Sequence, residues 1–395
     1  MTCNRFQKLD QYFHVSDRAS EPRCGDPGYD RLFKVREVMT AVMDCFKRAY
    51  TLSKEVAVDE AMIKYSGRLS FRQYMPNKPI KHGVKVWMLC DSRSAYLWNF
   101  DVYLGRQDRT HHDLGHDVVM NLTQGVQNSK RHIYFDNFFT GLPLLESLLG
   151  NGLYGCGTVR ENRIGFPKDL KKPRDVRQRG EFKVLQKDAV VATVWKDKRL
   201  VYHLSTLSQP ADIRDARRRV LGNHLELQQP HTVYAYNKFM GGVDLHDQFR
   251  AKYNIGRCGK KWWRYIFWFI LNCSIVNAGI LYQQAATRRT KKRRFTNLNF
   301  REELLMDLIG GYSKKHCAVV EQLQPPRVAD GNQGLHVNVR LSGGKTTCKY
   351  HSRFLKTTNI PRVVYGCAVC LVHLCKECHM PYHEAVRVQR APARP

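Results

Sequence analysis

The sequence predicts a mixed α/β fold with a small Cys/His-rich domain at its C-terminal end. Three observations carry this. Short apolar runs of strand type gather between residues 55 and 104, and strand-like and helix-like runs then alternate to residue 159. Five of the 13 cysteines fall between Cys348 and Cys378, clustered with four histidines. With 395 residues, 43 % of them hydrophobic, the chain holds two or three domains and buries a packed core.

Taken in order, residues 1–54 read as helical and basic, with Leu32, Val35, Val38, Met39, Val42 and Met43 near helical spacing. Val56 to Asp59 reads as a short strand ending in a carboxylate, and alternation puts Glu60 on the opposite face. Val84–Leu89 and Tyr96–Leu104 flank the turn Asp91-Ser92-Arg93-Ser94, a hairpin signal. A helix is expected over about 113–124, a strand over 131–136, a helix over 141–149 and a strand over 153–159. The stretch 160–229 opens with basic residues and prolines and carries short strand-like runs such as Ala189–Val194, which marks an insertion. His231 to Tyr236 reads as a return to strand, and Gly241-Gly242 as the start of a helix bearing Asp244 and Asp247. Tyr265 to Tyr282 is apolar and helix-length, but Asn272, Ser274 and Asn277 interrupt it, so it reads as a buried core helix and not a membrane span. Gln322 to Lys345, rich in Pro, Gly and Asn, reads as a linker.

Charge narrows the partners. Lys and Arg total 65 against 35 Asp and Glu, a net charge of +30. Such an excess repels itself in a compact fold unless a polyanion neutralises it, which points to nucleic acid. Met1 to Phe13 lacks the continuous apolar stretch of a secretory signal, so the cysteines are expected as thiols or metal ligands.

Three places put Asp in apolar surroundings at a strand end or helix start: Asp59 (VAVDEAM), Asp136 (IYFDNFF), and Asp244 with Asp247 (GGVDLHDQ). Only folding brings them together. The chemistry that wants such a set is phosphoryl transfer with two divalent ions, because Mg²⁺ prefers hard carboxylate oxygens and a metal pair stabilises both oxygens of an in-line displacement. Asp247, three residues beyond Asp244, faces the same helix side as a further ligand or a supporting group.

These blocks resemble the piggyBac transposase family. Asp59 to Gly105 carries a D-E opening, a G-R-x-x-x-x-x-Y-x-P-x-K-P core and a later L-C-D-S; Tyr134 to Thr140 (YFDNFFT) resembles the second block, and Tyr236 to Gln248 (YNKFMGGVDLHDQ) the third. The resemblance implies an RNase H-like catalytic core whose three essential aspartates map onto Asp59, Asp136 and Asp244, with Asp247 as a fourth acidic position. It further implies Mg²⁺-dependent cut-and-paste transposition at TTAA sites through hairpin intermediates, acting on double-stranded DNA as a homodimer. The corresponding division is a helical dimerisation and DNA-binding domain in two parts (1–54 and 254–320), a core in two parts (55–163 and 231–253), an insertion subdomain (164–230), a linker (321–345) and a zinc domain (346–384). The family has a longer N-terminal region than this chain, so the first helical part is expected to be truncated.

The tail offers Cys348-x2-His351, Cys367-x2-Cys370 and Cys375-x2-Cys378, then His379 and His383. Close pairs of soft ligands fit tetrahedral Zn²⁺, and eight candidates suffice for one or two structural ions, in a RING-like cross-brace if the pairs interleave. Spacing alone does not choose among His373, His379 and His383. The tail also resembles the cysteine-rich C-terminal domain of piggyBac proteins, which binds transposon ends, with Cys348-x2-His351 where many relatives have Cys-x2-Cys.

Lys260, Lys261 and Arg264 are expected to contact phosphates, with Trp262 and Trp263 more at home in the core. Arg288, Arg289, Lys291, Lys292, Arg293 and Arg294 form a run that suits nuclear import or phosphate contact, so a nuclear location is expected. Two other readings remain: a domesticated, catalytically inactive nuclear DNA-binding protein, and a tail acting as a RING-like protein-interaction module.

Overall fold

The structure is a computed structural model that describes residues 2–105, 113–220, 223–285, 296–310, 336–341, 344–355 and 359–390. It divides into two compact units, Met1–Leu304 and Leu305–Pro395. The basic residues Arg288, Arg289, Lys291, Lys292, Arg293 and Arg294 lie outside the described residues.

The first unit begins with helices α1 (Cys3–Tyr12) and α2 (Phe33–Ala49), the latter burying Val35, Met39 and Phe46. Strands β1 (Glu55–Lys64), β2 (Gln73–Tyr74), β3 (His82–Asp91) and β4 (Leu97–Val102) follow. Then come α3 (Leu114–Leu122), β5 (His132–Phe135), α4 (Leu142–Gly150) and β6 (Tyr154–Thr158). The alternation read from the sequence is what forms here. The β3–β4 hairpin also forms at its expected turn, where an irregularity between Leu89 and Cys90 shifts the register.

One nine-stranded sheet organises this unit. Its order is β2-β3-β1-β5-β6, with β4 paired to β3. β1 runs antiparallel to β3 and parallel to β5, and β5 parallel to β6. β1 is therefore central and covered on both faces, which explains why Glu55 to Val58 are all buried instead of alternating. It also runs ten residues where four were expected, so Asp59 sits in mid-strand and not at a strand end. The polar pair Asp59-Glu60 breaks the apolar pattern there and hides the continuation through Ala61, Met62 and Ile63.

The stretch read as an insertion contributes β7 (Phe182–Lys187), β8 (Val190–Lys196) and β9 (Leu200–Ser205). These continue the main sheet, because β9 pairs antiparallel with β6. β10 (Ile213–Val220) and β11 (Asn223–Pro230) make a separate two-stranded sheet.

Residues after Pro230 were expected to be a strand, and this is corrected: they form helix α5 (His231–Phe239). Thr, Val and two tyrosines favour a strand by composition, but Thr232 and Ala235 stand three apart and are buried with Val233 against β6 and β9. Pro230, fixed in φ and lacking an N–H, suits a helix start. Burial of one helical face outweighs the weak local preference.

Helix α6 (Gly242–Lys252) packs on β1 and β3. A Cβ at Gly242 would stand 3.1 Å from the Asp91 carbonyl oxygen and 3.3 Å from the Ala57 Cβ, so a glycine is what lets the start of α6 approach the sheet. Helix α7 (Trp262–Gln284) is long and apolar enough to cross a membrane by length and composition, yet it buries Trp263, Ile266, Phe269, Ile270, Cys273, Val276 and Ile280 in the core. Its polar interruptions have partners. Asn277 accepts from the Leu97 N–H at 2.9 Å and donates to the Leu97 carbonyl at 2.7 Å, satisfying the backbone of β4. Asn272 donates to the Arg250 carbonyl and accepts from Arg301, which lies on α8 (Asn297–Ile309).

The second unit is sparse. β12 (Asn338–Arg340) pairs with β15 (Tyr365–Cys367), and β13 (Thr346–Thr347) with β14 (Arg362–Val363). Helix α9 (His379–Arg390) closes it. Its buried core is Cys348, Cys367, Leu374, Cys378 and Tyr382, too little apolar surface to fold a domain without help.

Candidate catalytic and metal sites

The parallel β1–β5 pair builds the first site. Its register ends at Val58 and Phe135, so Asp59 and Asp136 are the next residue on each chain. Asp136 leaves β5 into a turn in which its carboxylate accepts the Phe138 N–H at 2.9 Å and its carbonyl accepts the Thr140 hydroxyl at 2.7 Å. Asp59 accepts the N–H of Glu60 at 2.8 Å. Asp244 enters from the first turn of α6, on the sheet face that carries Ala57 and hence Asp59.

A lysine joins these carboxylates. The Lys78 ammonium lies 3.0 Å from Glu60 Oε1, and its charge acts on Asp59, Asp136 and Asp244 as well. A second lysine, Lys85, stands 3.7 Å from the centre of the Trp87 ring and 4.9 Å from that of Phe138, also within reach of Asp59, Glu60 and Asp136. Burial, then the Glu60 and Asp136 charges, push the Asp59 carboxyl up to about 8, against the pull of Lys78. Burial and Glu60 raise Asp136 too, against an N–H bond from Phe138. Burial opposes the Lys78 charge, but Glu60, Asp59 and Asp244 outweigh it and hold Lys78 above its ordinary value. Converging carboxylates that resist ionisation are an environment that a divalent cation relieves, since the ion's own charge reverses the balance.

The structure thus sets Asp59 and Asp136 side by side, and Lys78 lies in the field of both and of Asp244. Asp247 is engaged elsewhere: it accepts from Arg250 at 2.9 Å and acts on the buried thiols Cys90 and Cys273. Glu60, assigned by alternation to the other face, nevertheless acts on both Asp59 and Asp136. Glu60 and Lys78 stand inside the D-E and K-P motif elements but had no role assigned to them, and nothing in the local pattern marked Lys85; the ion pair between residues 60 and 78 is the product of the fold.

Arg264 was expected to meet phosphate and is instead committed within the chain. Its Nη1 donates to the Asp10 carboxylate at 2.8 Å and its Nη2 to the Asp10 carbonyl, tying α1 to α7. Lys260 and Lys261 are exposed. Trp263 is buried, and Trp262 meets Phe71 edge-on at 5.5 Å.

In the second unit two groups have ligand atoms within 4.8 Å of one another: Cys348, His351, Cys375 and Cys378, and His336, Cys367, Cys370 and His383. They alternate along the chain. His379 falls in neither group, and His336, inside the stretch read as linker, takes the fourth place of the second. The Cys375 N–H points to Cys348 Sγ at 3.3 Å and the Cys370 N–H to Cys367 Sγ at 3.4 Å. Burial opposes ionisation of Cys348, but amides of His351, Cys375 and Tyr350 outweigh it and hold the thiol down to about 6. The His379 carbonyl accepts from His383 Nδ1 at 2.6 Å, which leaves His383 Nε2 free to ligate.

Residues 1–279 match the family model described as transposase IS4. Human PiggyBac transposable element-derived protein 3 is 26 % identical over 399 residues, covering 97 % of this chain and 63 % of the relative. Human PiggyBac transposable element-derived protein 2 is 27 % identical over 294 residues, covering 71 % of this chain and 48 % of that relative. The chain thus spans under two thirds of the length of either. Among solved structures, the piggyBac transposase synaptic complex with hairpin DNA matches with a TM-score of 0.69 at 26 % identity, covering 95 % of this chain and 78 % of that one.

Proposed function

This chain belongs to the piggyBac family of transposases, and we propose that it cleaves and joins DNA strands at TTAA sites with Asp59, Asp136 and Asp244 as its catalytic carboxylates. One observation carries the reading: three aspartates far apart in sequence share the field of one lysine, Lys78, and two of them follow adjoining parallel strands. The strand order β4-β3-β1-β5-β6, antiparallel then parallel, supports an RNase H-like core.

The three aspartates are hard oxygen donors, and they would hold Mg²⁺. Bound ions supply Lewis-acid stabilisation of an in-line displacement. In this reading water attacks a phosphodiester at the transposon end and frees a 3′ hydroxyl. That hydroxyl attacks the opposite strand to close a hairpin, and later the TTAA target. The Phe138 amide fixes the Asp136 carboxylate, and α6, seated at Gly242, delivers Asp244. Double-stranded DNA as partner, a homodimer as the working unit and the nucleus as location follow from this function and agree with a charge of +30. The alternating ligand groups of the tail favour two structural Zn²⁺ in a RING-like cross-brace that recognises transposon ends.

Nicking of supercoiled plasmid with Mg²⁺ or Mn²⁺, compared between the protein and Asp136→Asn, tests this. Metal-dependent nicking that disappears in the variant supports it. Salt-sensitive DNA binding without nicking favours a domesticated DNA-binding protein, a reading that the names of the human relatives, transposable element-derived proteins, keep in play.

A further inference from the structure

Two lysines stand among the carboxylates, and they are held differently. Lys85 is fixed over the faces of Trp87 and Phe138. Among the described residues no aromatic ring lies beneath Lys78. Lys78 sits between β2 and β3 in a turn closed by the Met75 N–H on the Lys81 carbonyl at 2.8 Å, and reaches the carboxylates through an ion pair to Glu60. Its side chain is 33 % exposed while that of Glu60 is 10 % exposed, so Lys78 lies between the carboxylates and solvent. That is the side from which both divalent ions and DNA must arrive. An ammonium there is a cation already occupying the electrostatic centre of the site, and a compact point charge on a flexible stem can exchange one anionic partner for another.

We propose that Lys78 is the internal counter-ion of the metal-free carboxylate cluster and that, when divalent ions take its place, it turns to a phosphate of the bound DNA and helps position the strand. The inference rests on reading Asp59, Asp136 and Asp244 as the ion-binding set. It makes Lys78 a competitor of the ions before DNA binds and an ally of the substrate afterwards, two effects of opposite sign from one side chain.

The test is calorimetric titration of Mn²⁺ into the full chain without DNA, followed by single-turnover nicking at saturating Mn²⁺. Lys78→Met should bind Mn²⁺ more tightly, by about tenfold, because a charge that repels the ion is gone. Its DNA concentration dependence should shift to weaker binding and its nicking rate should fall. Lys78→Arg, which keeps the charge, should stay near the parent in Mn²⁺ affinity. Lys78→Gln serves in the same role if the methionine variant does not fold. A folded Lys78→Met or Lys78→Gln with unchanged or weaker Mn²⁺ binding overturns the inference. Asp136→Asn separates the two readings: loss of Mn²⁺ binding there retains the carboxylate site whatever Lys78 does, whereas unchanged binding removes the site and this inference with it.

Discussion

Asp59 and Asp136 are the residues that immediately follow the last register pair, Val58 and Phe135, of two adjoining parallel strands. Both residues are half-buried, and each carboxyl is raised above its ordinary value, Asp59 to about 8. A carboxyl whose folded value exceeds its unfolded one holds its proton in the native state at pH values where the unfolded chain has lost it. Stability therefore falls as pH rises from 3.8 towards 8. The buried histidines, half charged at pH 6.5 in the unfolded chain, offset part of this until about pH 7.5. In EDTA the first unit should lose about 1 kcal/mol between pH 6.5 and 8. Asp59→Asn should flatten this dependence, and Mg²⁺ should restore stability in the parent only. An EDTA melting temperature unchanged over that interval would sink the idea.

The parts legible in the sequence are those whose signal is local. The β3–β4 hairpin announced itself through a polar turn between two apolar runs, and α6 through its glycine pair. What was hidden depends on distant partners. Asp59-Glu60 looked like a strand end because polar residues in mid-strand are unfavourable unless something distant, here Lys78, receives them. α5 looked like a strand because its β-branched and aromatic side chains suit either element, and only the surface it covers decides. His336 was lost in a glycine-rich stretch, because a lone ligand with no partner two residues away carries no spacing signal.

Asp91 is fully buried and accepts from the Ser53 N–H at 2.7 Å, the Arg93 and Ser94 N–H groups at 2.9 Å each, and the hydroxyls of Ser53 and Ser94. Burial opposes its charge, but these donors outweigh it and hold its carboxyl low. Asp91→Ala leaves several of these donors without an acceptor and should cost about 3 kcal/mol in urea denaturation. Its carbonyl also sits under the start of α6, so nicking should fall as well. Asp91→Asn, which keeps one acceptor oxygen, should cost less. A loss under 1 kcal/mol for the alanine variant, about the worth of one ordinary hydrogen bond, would remove the clamp from the account.

His203 and His246 are buried, and burial lowers them to about 3 and about 4. Neither ring nitrogen of His203 has a partner among the described residues, while His246 Nδ1 donates to the Ala95 carbonyl at 2.9 Å. A histidine depressed in the folded state contributes stability that is complete above pH 6.5 and lost as pH falls, at about 1.4 kcal/mol per unit per group. Asp59 pulls the other way in this range, so the measurement belongs in saturating Mg²⁺. Urea midpoints should drop between pH 6.5 and 5, and His203→Phe should remove about half of the slope. Equal slopes in both proteins would mean that His203 is protonated in the native state.

The tail makes a prediction that separates neighbouring histidines. Tetrahedral zinc with sulfur bonds of about 2.3 Å sets ligand sulfurs roughly 3.8 Å apart. Cys348 and Cys375 sulfurs stand 3.8 Å apart, and His336 Nδ1 and His383 Nε2 each lie 3.4 Å from Cys370 Sγ. Two ions per chain are therefore expected by elemental analysis. His336→Ala should leave the chain with one tightly held ion, because three ligands and water bind far more weakly than four. His379→Ala should keep two, because its part is played by a backbone carbonyl that orients His383, and the substitution leaves that carbonyl in place. Since the buried core of this unit is five residues, three of them ligands and the other two next to ligands in sequence, chelation should unfold it while the first unit keeps its own melting transition. Loss of an ion from His379→Ala with retention in His336→Ala would reverse the assignment and return His336 to the linker.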